Sequence, residues 1–254
     1  MNFLQSITSE WLKTKRSASF WLTVVGGLFI PIIYLIRFLY MGKSINSSEG
    51  PINIWIQHFN QSWQNMAFFL LPMGVILVTS LITQMEYKNN TWKQVHTTPQ
   101  TYGTLFLAKL SVILVLVFQF FVFFTIGLIL SAIIPTLIFD GNLGNQSFPV
   151  YKIGVGTLKF FIACLPIVAI QYLLSLRFKN FIVPIGIGLC FLIGSLIGNS
   201  WEHIYLSPYS FGFLNVLPLL KLSCSWDLRI IATISFTLIS VVNYFLYFNK
   251  KEKG

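Results

Sequence analysis

Long apolar runs without charge recur along the chain, and each is close to the length of a membrane-crossing helix. A bilayer core about 30 Å thick is spanned by about 20 apolar residues in helical conformation. The runs predict six transmembrane helices, at about 20–41, 66–85, 110–135, 153–176, 180–201 and 230–249. The third run is uncharged from Leu110 to Phe139, which is long enough to tilt or to extend outside the membrane. The predicted fold is an all-α membrane protein with a single transmembrane domain over residues 1–254.

The first 17 residues are polar and mixed, yet their apolar positions follow a helical period. The apolar residues that share one side are Phe3, Leu4, Ile7, Trp11 and Leu12. This pattern predicts an amphipathic helix over residues 1–17 that lies in the membrane interface before the first span. A frayed tail is the alternative. A cleavable signal peptide is not expected, because no short apolar core leads to a small-residue cleavage site.

Composition and charge narrow the class of protein. Hydrophobic residues make up 55% of the chain and charged residues only 9%, against about a quarter in soluble domains. Such a chain cannot cover a water-facing surface, which excludes a soluble enzyme, a disordered chain and a free nucleic-acid binder despite the net charge of +10. If the N-terminus is cytoplasmic, most Lys and Arg residues fall in cytoplasmic segments, as the positive-inside rule requires. Both termini are therefore predicted to be cytoplasmic.

The predicted outer loops differ in polarity. Residues 42–65 and 136–152 are polar, whereas residues 202–229 are unusually apolar for a loop and are broken by Pro208 and Pro218. This apolar segment predicts either short re-entrant helices that dip into the membrane or an interfacial hairpin anchored by Tyr and Trp. The sequence favours neither alternative.

The longest predicted cytoplasmic segment between spans, residues 84–108, carries a candidate partner-binding element. A short helix is predicted over residues 86–99, where a proline ends it. Glu86 ends the preceding span, Pro99 ends the short helix, and Trp92 lies between Lys88 and Lys93. An exposed tryptophan flanked by two lysines is typical of a docking site for a cytoplasmic protein. An ordinary interfacial loop with an aromatic anchor is the alternative.

Small residues recur every four positions in the fifth span, at Gly186, Cys190, Gly194 and Gly198. They share one helical face, and small residues at this spacing allow close contact between helices. The face is expected to form either a seam within the chain or part of a subunit interface. In the first span, Gly26-Gly27 and Pro31 indicate a bend or another tight contact.

The residues that catalysis or cofactor binding would need form no recognisable set in the sequence. The three histidines are scattered, the three cysteines have no metal-binding or disulfide spacing, and no phosphate-binding loop of the GxxxxGK[ST] type occurs. No acidic residue lies deep within a span, which disfavours an ion- or proton-coupled secondary transporter, the main alternative class. The chain is therefore expected to be non-catalytic and to bind no metal or cofactor itself.

The order of these features resembles the permease subunit of a type-2 ABC exporter, and the resemblance covers nearly the whole chain. Its most specific residues are Ser9-Glu10-Trp11-Leu12-Lys13 near the start, and Glu86, Trp92-Lys93, Thr98-Pro99 and Lys109 around the first cytoplasmic loop. The resemblance implies that residues 86–99 are a coupling helix that docks on a separate ATPase subunit. It also implies that Phe3, Ile7 and Trp11 belong to a connecting helix beside it, and that the apolar outer loop with its two prolines is a gate.

The same resemblance implies two permeases, identical or related, with ATP and Mg²⁺ bound by partner ATPase subunits rather than by this chain. Within the family, the short chain and small outer loops look most like the lantibiotic-immunity and bacitracin-export branch, in the bacterial plasma membrane. The implied substrate is an amphiphilic molecule such as a peptide antibiotic, reached from the membrane lipid between the first and fifth spans. The polysaccharide- or lipid-exporting branch is a near relative that the sequence also allows, and no nucleic acid is expected as a partner.

Overall fold

The computed structural model describes residues 3–41, 54–88, 102–138, 150–216 and 227–249, and every regular element within them is helical. The helices are α1 (Phe3–Thr14), α2 (Ala18–Met41), α3 (Ile54–Asn65), α4 (Leu71–Lys88), α5 (Tyr102–Ile138), α6 (Val150–Arg177), α7 (Ile182–Ile197), α8 (Phe211–Leu214) and α9 (Leu228–Asn249). A π-helical turn (Met66–Leu70) joins α3 to α4, and three 3-10 turns (Gly198–Ser200, Ile204–Leu206 and Pro208–Ser210) lie between α7 and α8.

Six helical units in the described residues are long and apolar enough to cross a membrane, as the sequence predicted. They are α2, the joined α3–α4 unit, α5, α6, α7 and α9. The starts of α5 and α7 lie beside the ends of α4, α6 and α9. One of the contacts between them is the hydrogen bond from the Tyr172 hydroxyl to the Phe106 carbonyl. Because Gly27 lies against Phe120 and Pro31 against Gly127, α2 and α5 run in the same direction. The helix α1 precedes α2 and packs on α5, so it lies toward the start of α5, and we name this side of the bundle the α1 end.

The second span begins earlier than predicted. The sequence placed residues 42–65 in a polar outer loop, but residues 54–65 form α3 and lengthen the span. The loop prediction is wrong there because polar side chains of α3 face the bundle: His58 is 4% exposed and Ser62 is fully buried. Nε2 of His58 lies 3.1 Å from Oγ of Ser131 on α5, within hydrogen-bonding distance. A polar residue with an interior partner does not mark a loop.

The third span also starts earlier, at Tyr102 rather than Leu110. The uncharged run stops at Lys109, but this residue is only 4% exposed and lies inside the helix. With 37 residues, α5 measures about 55 Å at 1.5 Å per residue. Because this exceeds the bilayer core of about 30 Å, α5 must tilt or extend outside it. By comparison, α6 and α9 begin and end within three residues of the predicted spans.

The most extensive helix–helix contact in the described residues joins α2 and α5. Glycine makes it possible: a Cβ on Gly27 would lie 2.7 Å from the carbonyl oxygen of Phe120, and one on Gly127 would lie 2.8 Å from Cβ of Pro31. The tight contact expected at Gly26-Gly27 and Pro31 is therefore present, and its partner is the third span.

An aromatic cluster joins α3, α5 and α6 in the middle of the bundle. The Trp63 ring stacks on Phe160, with centroids 4.3 Å apart and planes 7° from parallel, and it meets Phe124 edge-on at 4.9 Å. Lipid tails are as apolar as these rings, so exclusion of water does not hold the cluster together inside a membrane. Close packing and ring geometry must stabilise it instead.

Candidate functional site

The predicted docking residues lie at the α1 end or beyond it in the sequence. The backbone of Glu86 and Lys88 belongs to the last turn of α4, which ends at Lys88. Trp92, Lys93 and Pro99 lie outside the described residues, as does most of the predicted coupling helix. The structure therefore places the start of the docking segment at the end of α4, and its role stays a prediction.

The N-terminal helix α1 turns a polar side toward the bundle. The residues that it buries are Ser6, Glu10 and Thr14, which are spaced four apart and which we name the polar stripe. Glu10 also forms an ion pair with Lys13. Leu4 and Leu12, on the apolar side, are mainly exposed. The predicted amphipathic helix is present, but its polar stripe packs against the protein and leaves apolar surface for lipid or for a partner.

Of the three residues assigned to the connecting helix, Ile7 and Trp11 are half-buried beside the polar stripe, and Phe3 is 42% exposed. The Trp11 ring meets Phe20 edge-on at 6.5 Å, which ties α1 to the start of α2. Sequence reasoning missed the polar stripe, although its four-residue spacing was visible. A polar face on a membrane-surface helix is ordinarily assigned to water.

Hydrogen bonds close the turn between α1 and α2. The N–H and the hydroxyl of Ser17 both donate to the Thr14 carbonyl, at 2.9 and 2.8 Å. Oγ of Ser17 also lies 2.6 Å from Oγ of Ser19. The connection between α1 and α2 is therefore short and internally hydrogen-bonded.

A buried glutamine connects four elements near the α1 end. Nε2 of Gln171 on α6 donates to Oγ of Ser80 on α4 at 3.0 Å and to the carbonyl of Pro184 on α7 at 2.7 Å. Its Oε1 accepts a longer hydrogen bond, 3.4 Å, from the Tyr209 hydroxyl. A Cβ on Gly188 would lie only 2.7 Å from this Oε1, so glycine there leaves room for the amide. We name Ser80, Gln171, Pro184 and Tyr209 the Gln171 cluster.

Sequence reasoning also missed the Gln171 cluster. A lone glutamine in an apolar run shows that a polar group must find a partner, but it does not show which helix supplies that partner. The cluster joins the middle of α4, at Ser80, to α6, to α7 and to the segment after α7.

The segment after α7, residues 201–216, turns back into the bundle, and we name it the re-entrant segment. Its residues Tyr209, Phe211 and Phe213 are buried. Phe213 stacks on Phe68 of the π-helical turn, with centroids 5.7 Å apart. This packing favours the re-entrant alternative over an interfacial hairpin, because irregular backbone at membrane depth must be buried in protein.

Hydroxyl groups hold the re-entrant segment in place. Oγ of Ser207 lies 2.5 Å from Oγ of Ser195 on α7, and Oγ of Ser210 donates to the Ile204 carbonyl at 2.8 Å. Pro208, one of the two prolines assigned to the outer gate, opens the last 3-10 turn, whereas Pro218 lies outside the described residues. The gate itself stays a prediction.

The small-residue face of the fifth span has no close partner among the described residues. A Cβ on Gly186 or Gly194 would meet nothing within 4 Å, and Cys190 is exposed. At Gly198 the nearest atom, Cδ1 of Ile204, would be 3.8 Å away. The seam within the chain is therefore not found in the described residues. The tight glycine of α7 is Gly188, on its other side, and the subunit interface stays a prediction.

Charged and metal-binding chemistry is sparse in the described part of the chain. It contains no group of three or more His, Cys, Asp or Glu side chains that could hold a metal ion. At the start of α9, the Asp227 carboxylate accepts hydrogen bonds from the Arg229 guanidinium and backbone N–H. These bonds lower the pKa of Asp227 to about 2, so this N-terminal cap is ionised at neutral pH.

A family model described as "ABC-2 family transporter protein" matches residues 6–195. The match runs from α1 into the last turn of α7 and so includes the polar stripe, the end of α4 and Gln171. No curated protein and no solved structure gives a significant match to the chain.

Proposed function

Since the chain belongs to the ABC-2 family of transporter proteins, we propose that it is the permease subunit of an ATP-driven exporter that moves an amphiphilic substrate. Membership of the family gives the general function, without the substrate: the chain is a multi-pass ABC transporter permease that works with an ABC ATPase subunit. The family match carries the proposal, and the six spans supply the membrane path that a permease needs.

The ATPase is proposed to dock at the α1 end, with ATP and Mg²⁺ on that partner. The segment with Trp92 and Lys93 continues from the end of α4, and α1 presents exposed Leu4 and Leu12 nearby. This end would be cytoplasmic, with both termini on that side of the bacterial plasma membrane. The excess of Lys and Arg in these segments supports that orientation.

The Gln171 cluster offers a path from the docking site to the opposite side of the bundle. Closure of two ATPases on ATP would push the ends of α4, and Ser80 would carry the displacement to Gln171 and Tyr209. The re-entrant segment, with Pro208, would shift as a result. Alternating access follows if ATP binds the closed state of the ATPases more tightly than the open one.

Two permeases are proposed to meet through the small-residue face of α7. Support comes from its lack of close partners among the described residues, because small residues at this spacing serve close helix–helix contact. The substrate would enter from lipid between α2 and α7, where α2 exposes Trp21, Val25 and Phe29. A peptide antibiotic, with immunity as the biological role, is the substrate that the likeness to lantibiotic-immunity and bacitracin-type permeases supports. A polysaccharide or lipid substrate is the alternative.

Affinity purification from native membranes tests the docking proposal. The wild-type chain should carry an ABC ATPase with it, and Trp92→Ala should lose most of that ATPase. Trp201→Ala is the control, because Trp201 is an exposed tryptophan, at 56%, that lies beyond the end of α7 on the far side of the bundle. A wild-type chain that purifies alone, or a Trp92→Ala variant that retains as much ATPase as the control, would contradict the proposal.

Deletion of the gene tests the substrate. If the transporter exports peptide antibiotics, the deletion strain should become sensitive to at least one member of a panel of membrane-active peptides, and the wild-type chain should restore resistance. Unchanged sensitivity across the panel would reject the immunity role and leave the permease assignment intact.

A further inference from the structure

A groove lined only by apolar side chains lies where α6, α7 and α9 meet. Its volume is about 330 Å³, and its walls include Leu173 of α6, Phe191 of α7, and Leu238 and Val242 of α9. Most of α9 is exposed, and among the described helices it packs mainly against α6. The groove therefore separates α9 from α7 and opens toward the membrane.

A smaller and more polar cavity of about 40 Å³ lies next to the groove, toward the α1 end. Leu173 lines both, and the smaller cavity adds Arg177 from the end of α6 and Asn243 from α9. Asn243 is 2% exposed, and its Nδ2 donates to the Ala169 carbonyl at 2.8 Å. Its Oδ1 is buried and accepts no hydrogen bond from any described residue. It is therefore an unsatisfied buried polar atom.

Arg177 supplies a positive charge at the mouth of the smaller cavity. Its side chain is exposed, and no described residue forms an ion pair with it. A guanidinium group is permanently charged and binds phosphate through paired hydrogen bonds. A permanent cation at the smaller cavity thus lies near a purely apolar chamber.

We propose that this groove binds one phospholipid with an anionic headgroup, as in phosphatidylglycerol. The phosphate contacts Arg177, and one acyl chain fills the chamber between α7 and α9. Charge complementarity favours this occupant over a second protein chain, because a permanent cation lies at one end of an otherwise apolar groove. The bound lipid fills the gap beside α9, a helix whose protein contacts are mainly with α6.

Native mass spectrometry of the full-length protein in detergent tests the site, with palmitoyl-oleoyl phosphatidylglycerol and the matching phosphatidylcholine as probes. The wild-type chain should retain one phosphatidylglycerol with about tenfold higher affinity than phosphatidylcholine. Val242→Phe fills the groove and should reduce this affinity about tenfold or more. Val241→Phe is the matched control: both valines are about half-exposed on α9, but Val241 does not line the groove. This readout does not involve the ATPase, so it is independent of the proposed transport function.

Two variants that each remove one positive charge provide a second test of the site. Arg177→Gln should weaken phosphatidylglycerol binding about tenfold, whereas Lys179→Gln, two residues further on and outside both cavities, should leave it unchanged. If Val242→Phe does not fold, as judged by its melting temperature, the two charge variants and the preference for phosphatidylglycerol over phosphatidylcholine still test whether the groove binds lipid. Equal binding of the two lipids, equal weakening by both charge variants, or a wild-type chain that retains no lipid would each overturn the proposal.

Photo-crosslinking distinguishes lipid from protein in the groove. A benzophenone amino acid at Leu238 should give a lipid adduct in vesicles that contain phosphatidylglycerol. A crosslink to a second copy of the chain would show that the groove is a subunit interface and would overturn the lipid proposal.

Discussion

Two sets of glycines with similar sequence signatures have different surroundings in this protein. On α2 and α5, Gly27 and Gly127 lie against another helix, with Phe120 and Pro31 too close for any added side chain. On α7, Gly186 and Gly194 meet nothing within 4 Å among the described residues. A small residue in a span therefore indicates that a close approach is permitted there. Only the neighbouring helix shows whether it is used within the chain.

The largest effect is expected at the α2–α5 contact. Gly27→Leu places its Cβ 2.7 Å from a backbone oxygen that cannot rotate away, so the two helices must separate. Overpacking of this kind should destabilise the folded chain by about 3 kcal/mol, measured as the loss of unfolding free energy in detergent. Gly154→Leu, at a site with nothing within 4 Å, is the control and should have little effect. Equal stability of the two variants would show that the contact does not hold the bundle together.

An intermediate effect is expected inside α7. Gly188→Ala puts a methyl group 2.7 Å from Oε1 of Gln171, and the flexible amide must shift away from Ser80 and from the Pro184 carbonyl. The strained or broken hydrogen bonds should cost about 1–3 kcal/mol. The same unfolding assay applies.

The matched control for that substitution is Gly186→Ala, two residues earlier on the open face. It should leave the stability of the single chain unchanged or raise it by up to about 1 kcal/mol, since alanine favours helix over glycine. Loss of stability at both positions alike would mean that the two sides of α7 are not distinct.

The smallest effect on a single chain, and a selective one, is expected at Gly194. Gly194→Leu meets no described atom within 4 Å, so its melting temperature at low protein concentration should match that of the wild type. If this face joins two permeases, the variant should weaken self-association about tenfold, measured by the concentration dependence of dimer formation in detergent. A dimer as stable as that of the wild type would place the interface elsewhere.

The polar positions show most clearly which structural features could not be predicted from the sequence. The run 66–85 was recognised as a span, but its extension through His58 and Ser62 was assigned to a loop, because burial of polar side chains depends on partners from other helices. Lys109 ended the third predicted span for the same reason. In α1, the amphipathic period predicted the helix, yet Ser6, Glu10 and Thr14 pack against the bundle. Residues 89–101, with Trp92, Lys93 and Pro99, lie outside the described residues, so the coupling helix remains a prediction from sequence.

The sequence alone determined the six spans and the amphipathic helix before them, because bilayer thickness and helical period act on each segment separately. The tertiary structure decided which glycines are in contact, which polar groups are buried and how the re-entrant segment inserts. These features depend on pairs of residues far apart in the chain, such as Ser80 with Gln171 or Gly27 with Phe120. A pattern within one helix contains no information about the surface that another helix brings to it.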